Sequence, residues 1–373
     1  MCEIETISRK LLTSNAYIMN FDVKHVPPHI GYYLAGFIDA EGSFCVSFSP
    51  KTSSEGKIMD WQVRPVFSVS QKERPIIALF KRHLKCGTVR TDKRGISVYE
   101  VTSKNALCTH IVPFFKKYGF LSAKKKRDFS SFCQILKILE NFPLTKQDIS
   151  HILALRINTP VIIANRRYSD KFILSSLHQS IHIDVITQSS ETNTPNSLTI
   201  NEMIESDLCG DTEAQTIYPI EVYLTGLCDG DGSFNVSFTR RDDYKLGWKI
   251  SPSFSVSQRD KTLLMVFQKT LDCGRIRKGS SEGIWYLEVL NLDDLREKII
   301  PFFKKFPFLS ERKIDQFQRF CETLKILERK PRSRNDVVKI LELQRFETSQ
   351  TRWTTAQILE RLDQFLNHVK PNK

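Results

Sequence analysis

The chain is written twice. Leu34 to Phe44 read LAGFIDAEGSF and Leu224 to Phe234 read LTGLCDGDGSF, with Gly42 and Gly232 separated by 190 positions. PVFSVSQ ending at Gln71 returns as PSFSVSQ ending at Gln258, an offset of 187. KCGTVR and DCGRIR follow, then IVPFFKKYGFLS from Ile111 and IIPFFKKFPFLS from Ile299, and finally LKILE from Leu136 and Leu324. Blocks that keep one order and nearly one spacing imply a duplicated module of about 150 residues, which settles the architecture before any single motif is weighed. The division is an N-terminal extension (1–30), a first module (31–183), a linker (184–217) and a second module (218–373).

The linker assignment rests on Asp184 to Ile217, which holds seven acidic residues, no Lys or Arg, and Ser, Thr and Asn throughout. The whole chain carries 55 Lys and Arg against 42 Asp and Glu, a net +13. Setting aside the seven linker charges leaves +20 on the rest, so the basic charge belongs to the two modules. That excess favours a polyanionic partner. Charge alone does not separate DNA from RNA or an acidic membrane. No apolar run approaches the roughly 18 residues needed to span a bilayer, so no membrane partner is expected. The nine cysteines show no C-x-x-C spacing and are expected as free thiols inside a cell. Cys86 and Cys273, each in a Cys-Gly pair, lack nearby partners for zinc. Glu3, Glu5 and Asp22 argue against an import presequence.

Within each module the pattern is helix, strands, helices. IGYYLAGFIDA after Pro28 and IEVYLTGLCDG after Pro219 suit short buried helices, each ended by the glycine after its acidic residue. In SFNVSFTR, Phe234, Val236 and Phe238 alternate with Ser233, Asn235, Ser237 and Thr239, the period of a half-buried strand. The next strand places Ile250, Phe254 and Val256 inside and Lys249, Ser251, Ser253 and Ser255 outside. In the first module Val63, Phe67 and Val69 oppose Gln62, Arg64, Ser68 and Ser70. Third strands carry Arg90, and Arg275 with Arg277; fourth strands run Val98 to Val101 and Tyr286 to Val289. An antiparallel sheet covered by helices on one face and polar on the other is an α+β layer.

Glu41 and Asp231 end the two repeated helices. If the modules pair about a pseudo-twofold axis, these helices are the natural contact, because Ala35, Gly36, Thr225 and Gly226 permit close approach. The two carboxylates then meet at the axis. Two bare charges about 4 Å apart repel by roughly 4 kcal/mol at an effective dielectric near 20, which calls for bound cations. All-oxygen ligation suits magnesium, and a metal of this kind activates water for attack on phosphorus. Asp39 and Asp229, by contrast, are expected to hydrogen-bond locally at the helix ends.

YYLAGFIDAEGSF and VYLTGLCDGDGSF resemble the paired signature of LAGLIDADG homing endonucleases, and the order of the later blocks is similar to the branch found in organelle ribosomal RNA introns. The resemblance covers nearly everything outside residues 1–28 and the linker. It implies two αββαββα modules whose sheets form a saddle in the major groove of double-stranded DNA, in a monomeric chain encoded in a chloroplast or mitochondrion. It also implies a Mg2+ site, with Mn2+ as a substitute, built from Glu41, Asp231 and the backbone carbonyls of Ala40 and Gly230. A Gln and a basic residue of each module organise water around the scissile phosphates in this family; Gln71 and Gln258 match the first role. Lys124 and Arg312 match the second, with the adjacent Lys125 and Lys313 as alternatives. The first motif departs from the usual pattern in carrying Glu, one methylene longer, which implies unequal cutting of the two strands. Pro75 and Thr262 stand where relatives carry a basic residue, and Arg74 and Lys261 are the nearest substitutes.

The polar strand faces mix short hydrogen-bonding side chains with Arg and Lys, which suits reading base edges while touching phosphates. The expected contacts are Ser47, Gln62, Arg64, Ser68, Arg90, Asn235, Ser237, Lys249, Ser255, Arg275 and Arg277. The run Lys124 to Arg127 is expected to meet phosphates. Because the faces differ, as in Cys45 against Asn235, the expected target is asymmetric. A competing reading is an intron maturase, with or without nuclease activity, that binds host intron RNA on the same basic surface or another one, a role that needs neither acid.

Overall fold

The computed structural model describes residues 21–54, 58–141, 143–156, 166–178, 219–244, 246–328, 333–344 and 353–368. The acidic linker and residues 1–20 lie outside them. The first module opens with α1 (Pro28–Glu41), which runs directly into the hairpin β1 (Gly42–Thr52) and β2 (Ile58–Gln71). Next come α2 (Arg74–Leu84), β3 (Thr88–Thr91) and β4 (Ser97–Val101). A π turn (Leu107–Ile111) leads into α3 (Val112–Tyr118), and α4 (Ala123–Ile138), α5 (Lys146–Leu155) and α6 (Asp170–His178) complete the unit.

The second module repeats the plan as α7 (Pro219–Asp231), β5 (Gly232–Arg240), β6 (Trp248–Gln258), α8 (Lys261–Leu271), β7 (Arg275–Lys278) and β8 (Trp285–Val289). A matching π turn (Leu295–Ile299) precedes α9 (Ile300–Lys305), followed by α10 (Glu311–Glu328), α11 (Arg334–Gln344) and α12 (Thr355–His368). Each π turn sits just before a proline, Pro113 or Pro301, whose missing N–H removes an i→i−4 bond and lets the ladder widen.

Both sheets are antiparallel with the orders β1-β2-β4-β3 and β5-β6-β8-β7. Registers match as well: Gly42 faces Val69 and Phe44 faces Phe67, as Gly232 faces Val256 and Phe234 faces Phe254. The period-two pattern does what the sequence asks, since Phe44, Val46, Phe48, Phe67 and Val69 are buried on the helix-covered face. Phe44 is the hub of the first core, with Phe67, Phe115, Phe129 and Phe132 at centroid distances of 5.2, 5.6, 5.4 and 5.2 Å. Phe234 repeats this with Phe254, Phe303, Phe317 and Phe320 at 5.1, 5.6, 5.3 and 5.2 Å. Each such ring pair adds about 0.5–1.5 kcal/mol beyond its buried area, so the duplicated phenylalanines fix both cores alike.

A separate apolar cluster closes the outer end of the second sheet, where Phe238, Trp248 and Ile250 pack on Val337, Ile340, Leu341, Ile358 and Leu362 of α11 and α12. In the first module Trp61 serves that end against Tyr168 and Phe172. Cys45, Cys86, Cys108, Cys133, Cys228, Cys273 and Cys321 are free thiols. Among the described residues, no helix is long and apolar enough to cross a membrane.

The modules meet where α1 crosses α7. A Cβ on Gly36 would lie 1.9 Å from the carbonyl oxygen of Tyr223, and one on Gly226 would lie 2.0 Å from that of Tyr33. The helices therefore touch backbone to backbone at the two glycines. Gly42 ends α1 for a different reason than a left-handed cap: its φ of −80° and ψ of 156° are ordinary extended values. The glycine is needed for space, because a Cβ there would come within 2.4 Å of Ile38 Cγ2.

Candidate active site and nucleic-acid interface

Crossing at the glycines brings the last turns of α1 and α7 together. A Cβ on Gly230 would stand 2.6 Å from Ala40 Cβ and 3.0 Å from Glu41 Cγ, so Glu41 lies against the turn that presents Asp231. Burial, and then the Glu41 charge, push the Asp231 carboxyl up to about 6, partly offset by the Gln258 hydrogen bond and by Lys125 and Lys313. Glu41 is also raised by burial, with Lys125 and Lys313 pulling it back. Both acids stand at helix C-termini, where the aligned peptide dipoles further disfavour negative charge. The centre is thus an anionic site in need of positive charge, and its oxygen donors include last-turn carbonyls that have no amide partner within the helix.

The basic residues that meet this need are not those expected first. Lys124 and Arg312 point to solvent at the starts of α4 and α10. The next residues, Lys125 and Lys313, are 6% and 9% exposed. Their Nζ atoms donate to the carbonyls of Gly42 at 2.6 Å and Gly232 at 2.5 Å, beside the two acids. One residue along a helix turns a side chain by about 100°, which is enough to move it from solvent to the core. Burial lowers both ammonium groups below the ordinary lysine value, and for Lys125 the attraction of Asp39 and Asp231 works against that fall.

The two glutamines, at the ends of β2 and β6, behave differently. Gln258 Nε2 donates to Asp231 Oδ2 at 2.5 Å, whereas Gln71 Oε1 accepts from the Lys72 amide at 3.1 Å. The Glu and Asp halves of the centre therefore have unlike surroundings.

Asp39 and Asp229 do more than finish their helices. Asp39 accepts from the Ser122 N–H at 2.9 Å, from the Ser122 hydroxyl, and from the hydroxyl of Tyr223 in the other module. Asp229 repeats this with the Ser310 N–H at 3.0 Å, the Ser310 hydroxyl and Tyr33. Each tyrosine oxygen also accepts the next free amide, Leu121 at 2.9 Å and Leu309 at 2.7 Å. Burial, followed by the aspartate charge, raises both phenols well above their usual value, so they remain donors. The repeated Tyr and the repeated Leu-Ser before α4 and α10 carried this signal in the sequence.

Ser47, Gln62, Arg64, Asn235, Ser237 and Lys249 are exposed, and Ser68 and Ser255 half-buried, all on the sheet positions that alternate with the cores. The Ser47 and Ser237 hydroxyls donate to the carbonyls of Arg64 and Ser251, both at 3.3 Å. Arg275 is exposed. Arg277 forms a fork on Glu288 with both nitrogens at 2.6 Å, and Arg90 meets Glu100 at 3.4 Å. These carboxylates on the open face were missed, because they lie on a neighbouring strand and only the register brings them diagonally across from the arginines. Arg74 reaches Thr91 Oγ1 at 3.1 Å, while Lys261 sits over the Trp285 ring at 4.7 Å.

The chain is similar to known endonucleases. The family model described as LAGLIDADG endonuclease matches residues 34–136 and again 224–324. A probable intron-encoded DNA endonuclease 1 of Mycosarcoma maydis is 27% identical over 289 residues, covering 76% of this chain and 95% of that protein. The DNA endonuclease I-CeuI of Chlamydomonas moewusii is 28% identical over 119 residues, 31% of this chain and 55% of the relative. Among solved structures, I-SmaMI bound to an uncleaved DNA target in the presence of calcium ions superposes with a TM-score of 0.63 at 25% identity, covering 85% of this chain and 98% of that one. The I-LtrWI LAGLIDADG homing endonuclease bound to target DNA gives 0.64 at 21% identity, with 88% and 100% covered.

Proposed function

The chain belongs to the LAGLIDADG endonuclease family, and on that footing we propose that it is a monomeric site-specific homing endonuclease that hydrolyses both strands of a long, asymmetric double-stranded DNA target. The observation that carries the reading is the centre itself: two half-buried carboxylates, one from each module, flanked by two buried lysines where α1 and α7 meet.

The donor set fits a hard divalent cation. Glu41 and Asp231 supply carboxylates whose charge the site disfavours when bare, and the carbonyls of Ala40 and Gly230 supply neutral oxygen. Magnesium, or manganese in its place, would be held by these residues and would supply Lewis acidity for activating water and stabilising negative charge on the leaving oxygen. The chain's own residues do the rest. Gln258 holds Asp231 in one orientation through its 2.5 Å hydrogen bond. Lys125 and Lys313 keep N–H donors beside the acids, ready for the charge that develops on phosphate oxygens. The lysine role thus falls to these two rather than to the exposed Lys124 and Arg312, which with the rest of the Lys124 to Arg127 run serve to meet phosphates.

The open sheet faces hold the duplex. Cross-strand pairs on the first face are Ser43 with Ser68, Cys45 with Val66, Ser47 with Arg64 and Ser49 with Gln62. The second face offers Ser233 with Ser255, Asn235 with Ser253, Ser237 with Ser251 and Thr239 with Lys249. Unlike faces read unlike half-sites. Organelle introns are the setting this function implies.

Glu41→Gln and Asp231→Asn test the reading. Each is expected to abolish or strand-bias cleavage while leaving duplex binding in metal-free buffer intact, as measured by strand-specific end-labelling and gel shift. Undiminished double-strand cutting by both variants would sink the assignment.

A further inference from the structure

Glu73 and Asp260 stand two residues after Gln71 and Gln258, and each reaches into the opposite module. Asp260 Oδ2 accepts the Ala123 N–H at 2.7 Å, at the first residue of α4. Glu73 Oε2 accepts the Arg312 N–H at 3.0 Å, at the second residue of α10. The longer glutamate arm reaches one residue deeper. First-turn amides have no partner within their own helix, and a carboxylate there also faces the positive end of the dipole. The two acids differ in a second respect: Asp260 also caps its own helix through Thr262 N at 2.9 Å, whereas Glu73 makes no side-chain cap to α2.

The turns they grip are the ones that carry the central lysines. Leu121, Ser122 and Ala123 donate their amides in succession to Tyr223, Asp39 and Asp260, and two of those three acceptors come from the second module. The Ser122 hydroxyl then accepts the Lys125 amide at 3.2 Å, and Lys125 Nζ reaches Gly42. On the other side Leu309, Ser310 and Arg312 donate to Tyr33, Asp229 and Glu73. Ser310 accepts the Lys313 amide at 3.3 Å, and Lys313 Nζ reaches Gly232. A continuous chain of hydrogen bonds thus joins each lysine to the module that does not contain it.

We propose that Glu73 and Asp260 are positioning residues through which each module sets the lysine of the other, so that neither strand-cutting half is fully assembled unless the two modules are docked. The inference rests on the nuclease reading above, and it assigns Asp260 to Lys125 and Glu73 to Lys313.

The test combines strand-resolved nicking of a duplex target with hydrogen exchange of the unbound protein, for Glu73→Ala and Asp260→Ala. Asp260→Ala is expected to slow one strand by about tenfold and Glu73→Ala the other, in the range that misalignment of a catalytic group costs, with DNA affinity unchanged. Asp260→Asn and Glu73→Gln keep an acceptor oxygen and are expected to recover most of the rate. Amides of residues 121–126 should exchange faster only in Asp260→Ala, and those of 309–314 only in Glu73→Ala. Equal slowing of both strands by each variant, or exchange unchanged in the opposite module, overturns the proposal. A wild-type protein that cuts no duplex removes the nuclease reading instead, and the exchange arm still decides whether the clamp crosses between modules.

Discussion

Asp231 carries a charge that works against the stability of the fold. Its folded value of about 6 lies above the ordinary 3.8, so between those values the folded state binds more protons than the unfolded state. Stability therefore falls as pH rises through roughly 4 to 6, and the charged carboxylate is a net cost at neutral pH. The difference corresponds to about 3 kcal/mol. Asp231→Asn is expected to raise Tm by several degrees at pH 7.5 in chelator and to lose that advantage below about pH 4, where the wild-type acid is already neutral. Calorimetry across that pH range checks it, and equal Tm values at pH 7.5 would remove the electrostatic argument. That the two acids stand at equivalent helix ends was legible because the repeat marks them twice. Which lysine is buried was not, since adjacent lysines in KKK differ only in helical phase, which the Ser122 cap sets in three dimensions.

Among the elements, the crossing of α1 and α7 determines whether the centre exists. Leu34, Ala35, Phe37 and Ile38 are fully buried, and so are Leu224, Thr225, Leu227 and Cys228. Sequence reading placed this contact correctly from its small residues, yet it could not separate a glycine used for a turn from one used for closeness. Gly226 is of the second kind, and its neighbour is backbone, which has no rotamer to yield. Gly226→Ala must push the helices apart, at a cost of about 1–3 kcal/mol or more. The expected result is a lower urea midpoint together with a loss of cleavage larger than the fraction unfolded explains, because Glu41 and Asp231 separate. Wild-type cleavage in a destabilised Gly226→Ala protein would show that the acids need not be held so closely. The terminal helices α11 and α12 read only as helices covering the sheet, because their partners Trp248 and Ile250 lie far away in sequence.

At the scale of the whole molecule, the charge read from sequence is more finely distributed than a total of +13 conveys. Arg90 and Arg277 were legible as basic residues on third strands, but the register that sets Thr88 against Glu100 and Arg275 against Glu288 supplies each with a carboxylate. Arg277 is held on two oxygens and lies 4.6 Å from the centre of the Tyr286 ring, while Arg90 has a single, longer contact. A paired arginine adds little net charge to the face and is oriented before DNA arrives. Removing its partner should therefore convert orientation into plain attraction. Glu288→Gln is expected to bind any duplex more tightly and to steepen the dependence of log affinity on log salt by about 0.9, the slope for one additional neutralised phosphate. Discrimination between the preferred target and random duplex should shrink at the same time. The equivalent change at Glu100 is expected to do less, since Arg90 is already 63% exposed and weakly tethered. Titrations of both variants at several salt concentrations measure this directly, and an unchanged slope for Glu288→Gln would mean that Arg277 stays off the phosphates whether or not it is paired.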